Sequence, residues 1–150
     1  MENFEFFIPT RVIFGKETHL QVGKIVKEYG FHRVLVHFGG ASAKKTGLLD
    51  AVLDALKAEG IGCVTLGGVQ ANPTLSKAKE GIELCLKEGV DLVLAVGGGS
   101  VIDSSKCIAD GAGNPDVDVW TYFRQEAVPA RALPVGVILT LSASGSEMSA

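Results

Sequence analysis

Two hydrophobic periodicities alternate along the chain. Between residues 17 and 30, four apolar residues follow the i, i+3, i+4, i+7 spacing of one helix face: Val22, Ile25, Val26 and Tyr29. Gly30 follows and can adopt the left-handed conformation that ends a helix. Residues 33–38 then form a short apolar run, which is typical of a buried strand. The pattern therefore predicts a helix followed by a strand.

The same unit recurs three times downstream. Further helices are predicted over residues 49–56, ending near Gly60, over residues 76–86, and over residues 101–109. Thr74 or Ser76 can cap the second of these helices. Strands are predicted over residues 63–66, 92–96 and 133–140, and a polar loop over residues 111–119. At the N-terminus, residues 4–8 and 10–15 predict a β-hairpin that turns at Pro9.

Strands that alternate with amphipathic helices predict an α/β fold, with a Rossmann-like parallel sheet covered by helices on both faces. The continuous apolar strands agree, because burial on two sides removes polar alternation. We expect residues 1–150 to form one domain, since no linker or repeat interrupts them. Ligands of such sheets bind at the carboxyl ends of the strands, here the turns after Phe38, Leu66, Val96 and Thr140.

Composition excludes several classes of function. The formal net charge is −3 and no basic stripe is present, so nucleic acid is not an expected partner. No apolar run approaches the roughly 20 residues that span a bilayer, and the N-terminus lacks a signal-peptide pattern, so we expect a soluble cytoplasmic protein. The three cysteines and three histidines do not cluster, and we interpret the cysteines as buried free thiols.

The strongest local signal is the turn from Val96 through Gly97, Gly98 and Gly99 directly into the start of the helix predicted from Val101. Glycines let backbone N–H groups approach a pyrophosphate, and a helix N-terminus carries a partial positive charge of about half a unit. Ser100 could donate a further hydrogen bond. The G-x-G-x-x-G fingerprint is absent, and a tight turn without a ligand is the alternative.

A second glycine turn, Gly39–Gly40, follows the first predicted strand. NAD-specific sites usually place an acid at a strand end, whereas hydroxyl groups and cations suit a 2′-phosphate. Residues 39–47 contain no acid, while Ser42, Lys44 and Lys45 could bind a phosphate group. This segment favours NADP(H) over NAD(H), although a solvated lysine pair is the alternative interpretation.

The last predicted strand leads into a turn rich in hydroxyl groups, from Thr140 through Ser142 and Ser144 to Ser146. Such side chains can bond the phosphates, ribose or carboxamide of a cofactor. A serine hydrolase is disfavoured, because the G-x-S-x-G motif is absent and no histidine follows His37. Asn72 is a further candidate, although Asn72-Pro73 could be a turn with a helix-starting proline.

Together these segments resemble the iron-containing alcohol dehydrogenases, and residues 38–47 look most like the butanol dehydrogenase and NADPH-dependent aldehyde reductase branch. The resemblance rests on five segments, in the same order and spacing: residues 9–15, 39–42, 71–74, 97–103 and 140–147. Two departures are Leu141-Ser142-Ala143-Ser144, where the family more often has Thr-Ala-Gly-Thr, and Ala41, where this branch commonly has glycine.

The resemblance implies hydride transfer between NADP(H), or else NAD(H), and a primary alcohol or aldehyde, in a homodimer. Asp103 would lie where the nicotinamide and substrate meet and is the predicted catalytic residue. The implied cofactor-binding residues are Gly39, Gly40, Ser42, Asn72, Gly97, Gly98, Gly99, Ser100, Asp103, Thr140, Leu141, Ser144 and Ser149. The resemblance also implies a divalent metal, iron or zinc, held by an all-helical C-terminal domain that these residues lack.

No metal ligand is therefore predicted within residues 1–150, and we expect the chain alone to be inactive. Two alternatives stay open. One is an NAD-binding lyase resembling dehydroquinate synthase, against which the acid-free segment after Phe38 argues. The other is a non-catalytic nucleotide-binding fragment, which would bind the cofactor without turnover.

Overall fold

Four parallel strands form the sheet of the computed structural model, which describes residues 8–40 and 45–149. They are β1 (Arg33–Phe38), β2 (Gly62–Leu66), β3 (Leu92–Gly97) and β4 (Val135–Leu139), in the spatial order β2-β1-β3-β4. All three pairings are parallel. The predicted α/β class and parallel sheet are confirmed.

Helices cover both faces of this sheet. They are α1 (Val22–Glu28), α2 (Leu48–Ala58), α3 (Leu75–Glu88), α4 (Gly99–Gly113) and the short α5 (Trp120–Phe123), with 3₁₀ turns at Thr18–Gln21 and Ser146–Met148. Helices α1 and α2 share a core with Val34 and Val36, whereas α3 and α4 pack with Leu35 and Val93 on the opposite face. Successive side chains of β1 therefore enter different cores, as the pleat of a strand requires.

Burial is deepest in the two central strands. Val34, Leu35 and Val36 have no exposed surface, and every residue of β3 is buried. By contrast, all five residues of β4 are only half-buried, because β4 is an edge strand with a neighbour on one side in the described sheet. The prediction of burial on both sides is thus confirmed for β1 and β3 but not for β4.

The N-terminal hairpin is not formed by the residues that the structure describes. Residues 1–7 lie outside the described range, and residues 8–14 contain no strand. Val12 and Phe14, which were predicted to lie in the second strand, are 66% and 99% exposed. The four described strands of the sheet do not pair with residues 8–14.

The fourth helix is longer than the periodicity predicts. It begins at Gly99 rather than near Val101 and continues to Gly113, so the predicted loop at residues 111–119 begins after Gly113. A Cβ at Gly111 would lie 2.2 Å from Ile82 Cδ1 of α3, and one at Gly113 would lie 2.7 Å from the Arg131 carbonyl oxygen. These glycines allow close packing inside the helix, where the sequence suggested a turn.

Candidate functional site

The direction of the chain through the sheet reverses between β1 and β3. From β1 the chain moves to β2 on one side, and it returns across β1 to place β3 on the other. Phe38 is in register with Val96, so both glycine turns leave the sheet side by side. Open α/β sheets bind ligands in the crevice at such a switch point, outside the carboxyl ends of the strands.

The turn after β3 opens directly into α4. Gly98 is the extended N-cap, with φ −99° and ψ −164°. Its carbonyl oxygen accepts hydrogen bonds from Val101 N at 3.0 Å and Ile102 N at 3.1 Å. In the described part of the chain, no backbone acceptor pairs with the N–H of Gly99 or Ser100. Such donors, at the positive end of a helix dipole, suit an anion.

The three glycines of this turn meet different surroundings. A Cβ at Gly97 would lie 2.6 Å from Cγ2 of the buried Val101, and one at Gly99 would lie 2.4 Å from Ser144 Oγ. At Gly98, however, the nearest atom to an added Cβ would be Leu141 Cβ at 3.9 Å. Packing therefore requires glycine at positions 97 and 99, whereas Gly98 borders open space.

The turn after β4 lies against these glycines. Thr140 N donates to the Gly97 carbonyl oxygen at 3.1 Å, and Leu141 is 66% exposed beside Gly98. The Ser144 hydroxyl is 2.9 Å from the hydroxyl of the buried Ser146. The structure thus brings Thr140, Leu141 and Ser144 together with the β3 turn.

Ser100 connects this turn to the loop that carries Asn72. Its hydroxyl donates to the Ala71 carbonyl oxygen at 2.7 Å, so its proton is used within the protein, although its oxygen can still accept. Asn72 is exposed next to this bond. Thr74, one of the two predicted caps, is the N-cap of α3, and its hydroxyl accepts from Lys77 N at 3.3 Å, so the alternative in which Pro73 begins the helix is wrong.

The turn after β1 is open on the side that faces solvent. Gly39 is half-buried and Gly40 is exposed, and an added Cβ at Gly40 would meet no atom of the described residues within 4 Å. The Gly39 carbonyl oxygen accepts from Gly68 N at 3.1 Å, which extends the pairing of β1 with the segment after β2. Ser42 and Lys44, which the sequence implicated in phosphate binding, lie outside the described residues.

Asp103 is exposed on the second turn of α4. The first turn of α4 contains no acidic residue, because the helix starts at Gly99, earlier than predicted. Asp103 therefore lies too far into the helix to act as a first-turn charge on its dipole. Its side chain remains available to a ligand bound at the β3 turn.

The histidine nearest the site is a structural residue. His37 has no exposed surface; its Nδ1 is 2.8 Å from the Leu66 carbonyl oxygen and its Nε2 is 2.9 Å from Ser104 Oγ. A carbonyl can only accept, so Nδ1 carries the proton and Nε2 accepts from the serine. Burial lowers the pKa of His37, which favours this neutral form.

The cysteines are free thiols, as predicted, and two of the three are buried. Burial raises the pKa of the Cys85 thiol to about 12 and that of Cys107 to about 11. A thiol, rather than a reactive thiolate, is therefore the form present near neutral pH at both positions. Cys63 is half-buried, and burial raises its pKa as well.

Lys106 is a residue of this region that the sequence did not single out. Its ammonium group donates to the Ser146 carbonyl oxygen at 2.6 Å and to the Ser149 hydroxyl at 2.9 Å. The Ser149 hydroxyl in turn lies 3.2 Å from the Ser146 carbonyl oxygen. Lys106 thus holds the segment after β4 against α4 by hydrogen bonds, and Ser149 accepts one of them. A lysine on a helix face gives no sequence signal for such a role.

Residues 8–40 and 45–149 bring no three His, Cys, Asp or Glu side chains together as a metal site would require. Over the same ranges, no helix has the length and apolar character needed to cross a membrane.

The chain matches the family model described as iron-containing alcohol dehydrogenase over residues 9–150. It is 47% identical over 149 residues to the probable NADH-dependent butanol dehydrogenase 2 of Bacillus subtilis, covering 99% of this chain and 38% of that protein. It is 40% identical over 152 residues to the NADPH-dependent aldehyde reductase YqhD of Escherichia coli, covering 100% of this chain and 38% of that protein.

The fold matches solved structures to a similar extent. The crystal structure of NADH-dependent butanol dehydrogenase A from Thermotoga maritima superposes with a TM-score of 0.93 at 46% identity, covering 97% of this chain and 36% of that one. The chain therefore spans less than two-fifths of the length of these relatives.

Proposed function

Because the chain belongs to the iron-containing alcohol dehydrogenases, we propose that it forms the dinucleotide-binding part of an enzyme that transfers hydride between NADP(H) and a primary alcohol or aldehyde. The observation that supports this most is the convergence of three turns at the switch point. They are Gly39–Gly40, Gly97–Ser100 and Thr140–Ser144, and the N–H groups of Gly99 and Ser100, which have no backbone partner among the described residues, lie at the start of α4.

In this proposal, the N–H groups of Gly99 and Ser100 bind the pyrophosphate. Gly98 leaves room for it, and the Thr140 and Ser144 hydroxyls border the same space. The nicotinamide would supply the carbon that accepts or donates hydride. Asp103, one helical turn into α4, would lie near the reacting end, while Asn72, Leu141 and Ser149 complete the proposed contact set. This chain's contribution is to bind and orient the cofactor.

The choice of NADP(H) rests on the segment after β1, which contains no acid between Phe38 and Gly47 to hold a ribose 2′-hydroxyl. The matched relatives are named for both nucleotides: the Bacillus subtilis protein for NADH and the Escherichia coli protein for NADPH. The preference is therefore a property to measure on this chain.

The family name implies a divalent metal, and the described residues offer it no ligand cluster. Because the chain spans less than two-fifths of the length of its relatives, we propose that iron or zinc would be held by the rest of the full-length protein, and that the chain alone does not turn over substrate. A homodimer and a cytoplasmic location stay predictions of the same proposal. The family match does not favour the lyase alternative. The alternative of a non-catalytic nucleotide-binding fragment is compatible with this proposal, because the chain alone would bind the dinucleotide without activity.

A calorimetric titration of the purified chain with NADPH and NADH in parallel tests this proposal. We expect binding of both, with the tighter constant for NADPH. The variant Gly98→Asp should bind neither, because a carboxylate would occupy the phosphate position. Tighter binding of NADH would overturn the choice of nucleotide, and absence of binding to either would contradict the site itself.

A further inference from the structure

A cavity of about 370 Å³ lies between the segment after β2 and the first turns of α3. Gly68–Gln70 form one wall, and Thr74, Lys77 and Glu80 form the other. None of these residues is among the cofactor-binding residues predicted from the sequence. The cavity combines the hydroxyl groups of Thr74 and Ser76 and the charged side chains of Lys77 and Glu80 with a stretch of backbone, so it can accept a polar ligand.

The cavity adjoins the glycine turn after β1. Gly68 N donates to the Gly39 carbonyl oxygen at 3.1 Å, and Val69 N to the Phe38 carbonyl oxygen at 3.4 Å. The same segment is held at its other end by the bond from Ser100 to Ala71. A dinucleotide whose pyrophosphate rests on α4 and whose adenosine crosses to Gly39–Gly40 would therefore reach the cavity wall.

Lys77 is the positive charge of this wall. Its side chain is 25% exposed, and its ammonium nitrogen would lie 4.0 Å from a Cβ added at Gly68. Because residue 68 is glycine, no side chain from that position covers the nitrogen. The partner of Lys77 is Glu80, at 2.7 Å, whose side chain is 56% exposed and can turn into solvent.

We propose that Lys77 contacts the 2′-phosphate of NADP(H) and is a specificity-determining residue of this chain. The inference rests on the proposed function. A phosphate near neutral pH carries more charge than a single carboxylate, so it would compete with Glu80 for the ammonium group. Lys77 thereby supplies a cation for the 2′-phosphate that does not depend on the lysines after Gly40.

Two adenosine nucleotides isolate this contact. Adenosine 2′,5′-bisphosphate and adenosine 5′-monophosphate differ only by the 2′-phosphate, and calorimetry gives a dissociation constant for each. Lys77→Gln should weaken binding of the bisphosphate about tenfold, which is the usual order for the loss of a charge-assisted contact. The same variant should change the dissociation constant of the monophosphate less than about twofold. Lys77→Arg should restore most of the bisphosphate affinity. Glu80→Gln should instead tighten binding of the bisphosphate, because it removes the carboxylate that competes for Lys77.

Lys79→Gln is the matched control. Lys79 lies two residues along α3, and its ammonium group pairs with Asp118 at 3.1 Å, away from the cavity. Lys79→Gln changes the net charge by the same amount as Lys77→Gln. It should nevertheless leave the dissociation constants of both nucleotides within about twofold of the wild-type values. Thermal melts of all four variants verify that each is folded.

The outcomes separate the two proposals. If the wild type binds NADPH but Lys77→Gln and Lys79→Gln behave alike, the role of Lys77 is wrong and the dinucleotide site stands. A wild type that prefers NADH also overturns the role of Lys77. If the wild type binds neither dinucleotide, the proposed function fails, and the inference drawn from it fails as well.

Discussion

At the β3 turn, packing and ligand binding depend on different glycines. Gly97 is buried against Val101, and Gly99 lies against Ser144, so a methyl group at either position would overlap an existing atom. Among the described residues, the one atom within 4 Å of a Cβ added at Gly98 would be Cβ of the exposed Leu141, at 3.9 Å. Three consecutive glycines therefore have separable roles that substitution can distinguish.

We predict that Gly97→Ala and Gly98→Ala have contrasting effects. Gly97→Ala should lower the free energy of unfolding by about 1 to 3 kcal/mol, the usual cost of overpacking, because Val101 is buried and stiff at its Cβ. Gly98→Ala should change stability little but weaken NADPH binding. Urea unfolding and calorimetry on both variants provide the measurements. Equal destabilisation by the two changes would contradict the assignment of roles.

His37 makes the stability of the chain depend on pH. Its pKa is lowered in the folded state, chiefly by burial, whereas the unfolded chain has the usual value of about 6.5. Below that value the unfolded state binds a proton that the folded state does not, so its contribution to stability is present above about pH 6.5 and is lost as the pH falls.

We therefore expect His37→Gln to flatten the decline in unfolding free energy between about pH 7 and 5, where one such histidine contributes at most about 1.4 kcal/mol per pH unit. His32→Gln removes an exposed imidazole instead and should retain the wild-type slope. Denaturant unfolding at several pH values measures both. A slope unchanged by His37→Gln would show that the imidazole is not the origin of the effect.

At the scale of elements, glycines inside helices set how closely the layers pack. A Cβ at Gly81 of α3 would lie 2.4 Å from Ile108 Cδ1 of α4, and one at Gly23 of α1 would lie 2.0 Å from the Ala55 carbonyl oxygen of α2. The second contact is with backbone, which cannot rotate away as a side chain can. Each face of the sheet thus carries a helix pair in close contact.

We predict that Gly23→Ala destabilises the protein, although helix propensity alone would favour alanine over glycine by about 1 kcal/mol. The added methyl group would separate α1 from α2, and we expect a net loss of about 1 to 3 kcal/mol. Lys24→Ala, at the exposed neighbouring position, is the control and should be nearly neutral. A stabilising effect of Gly23→Ala in thermal unfolding would argue against the close approach.

At the scale of the whole molecule, the strand order creates the proposed site. With the order β2-β1-β3-β4, the carboxyl ends of β1 and β3 are adjacent, and the turns after both strands are rich in glycine. The segment after β4 then closes the third side, fastened to α4 by Lys106. A ligand in this crevice would contact elements from residue 39 to residue 149, so its binding should stabilise the entire fold.

We expect NADPH at about 100 times its dissociation constant to add about 2.7 kcal/mol to the unfolding free energy. For a domain of this size, that corresponds to a rise in Tm of about 5 to 10 °C. Differential scanning calorimetry with and without NADPH measures the shift, and Gly98→Asp should abolish it. A shift of equal size in Gly98→Asp would place the bound nucleotide elsewhere.

The sequence alone was sufficient to predict the type and order of most elements. Helix and strand periodicities are local properties, and they located β1, β2, β3 and the helices between them. The glycine-rich and hydroxyl-rich turns could also be predicted as a ligand site, because the carboxyl ends of parallel strands lie at the same edge of the sheet. Periodicity does not determine burial: Tyr29, which its spacing assigns to the same helix face as Val22 and Val26, is 55% exposed.

Contacts between distant residues were decided by the tertiary structure. The bond from Ser100 to Ala71 joins residues 29 positions apart, and that from His37 to Ser104 joins residues 67 apart. The approach of Gly23 to Ala55 and the cavity beside Lys77 likewise arise only once the helices are packed. Spacing along the chain determines which face a side chain occupies, but what that face meets depends on how the layers close around the sheet.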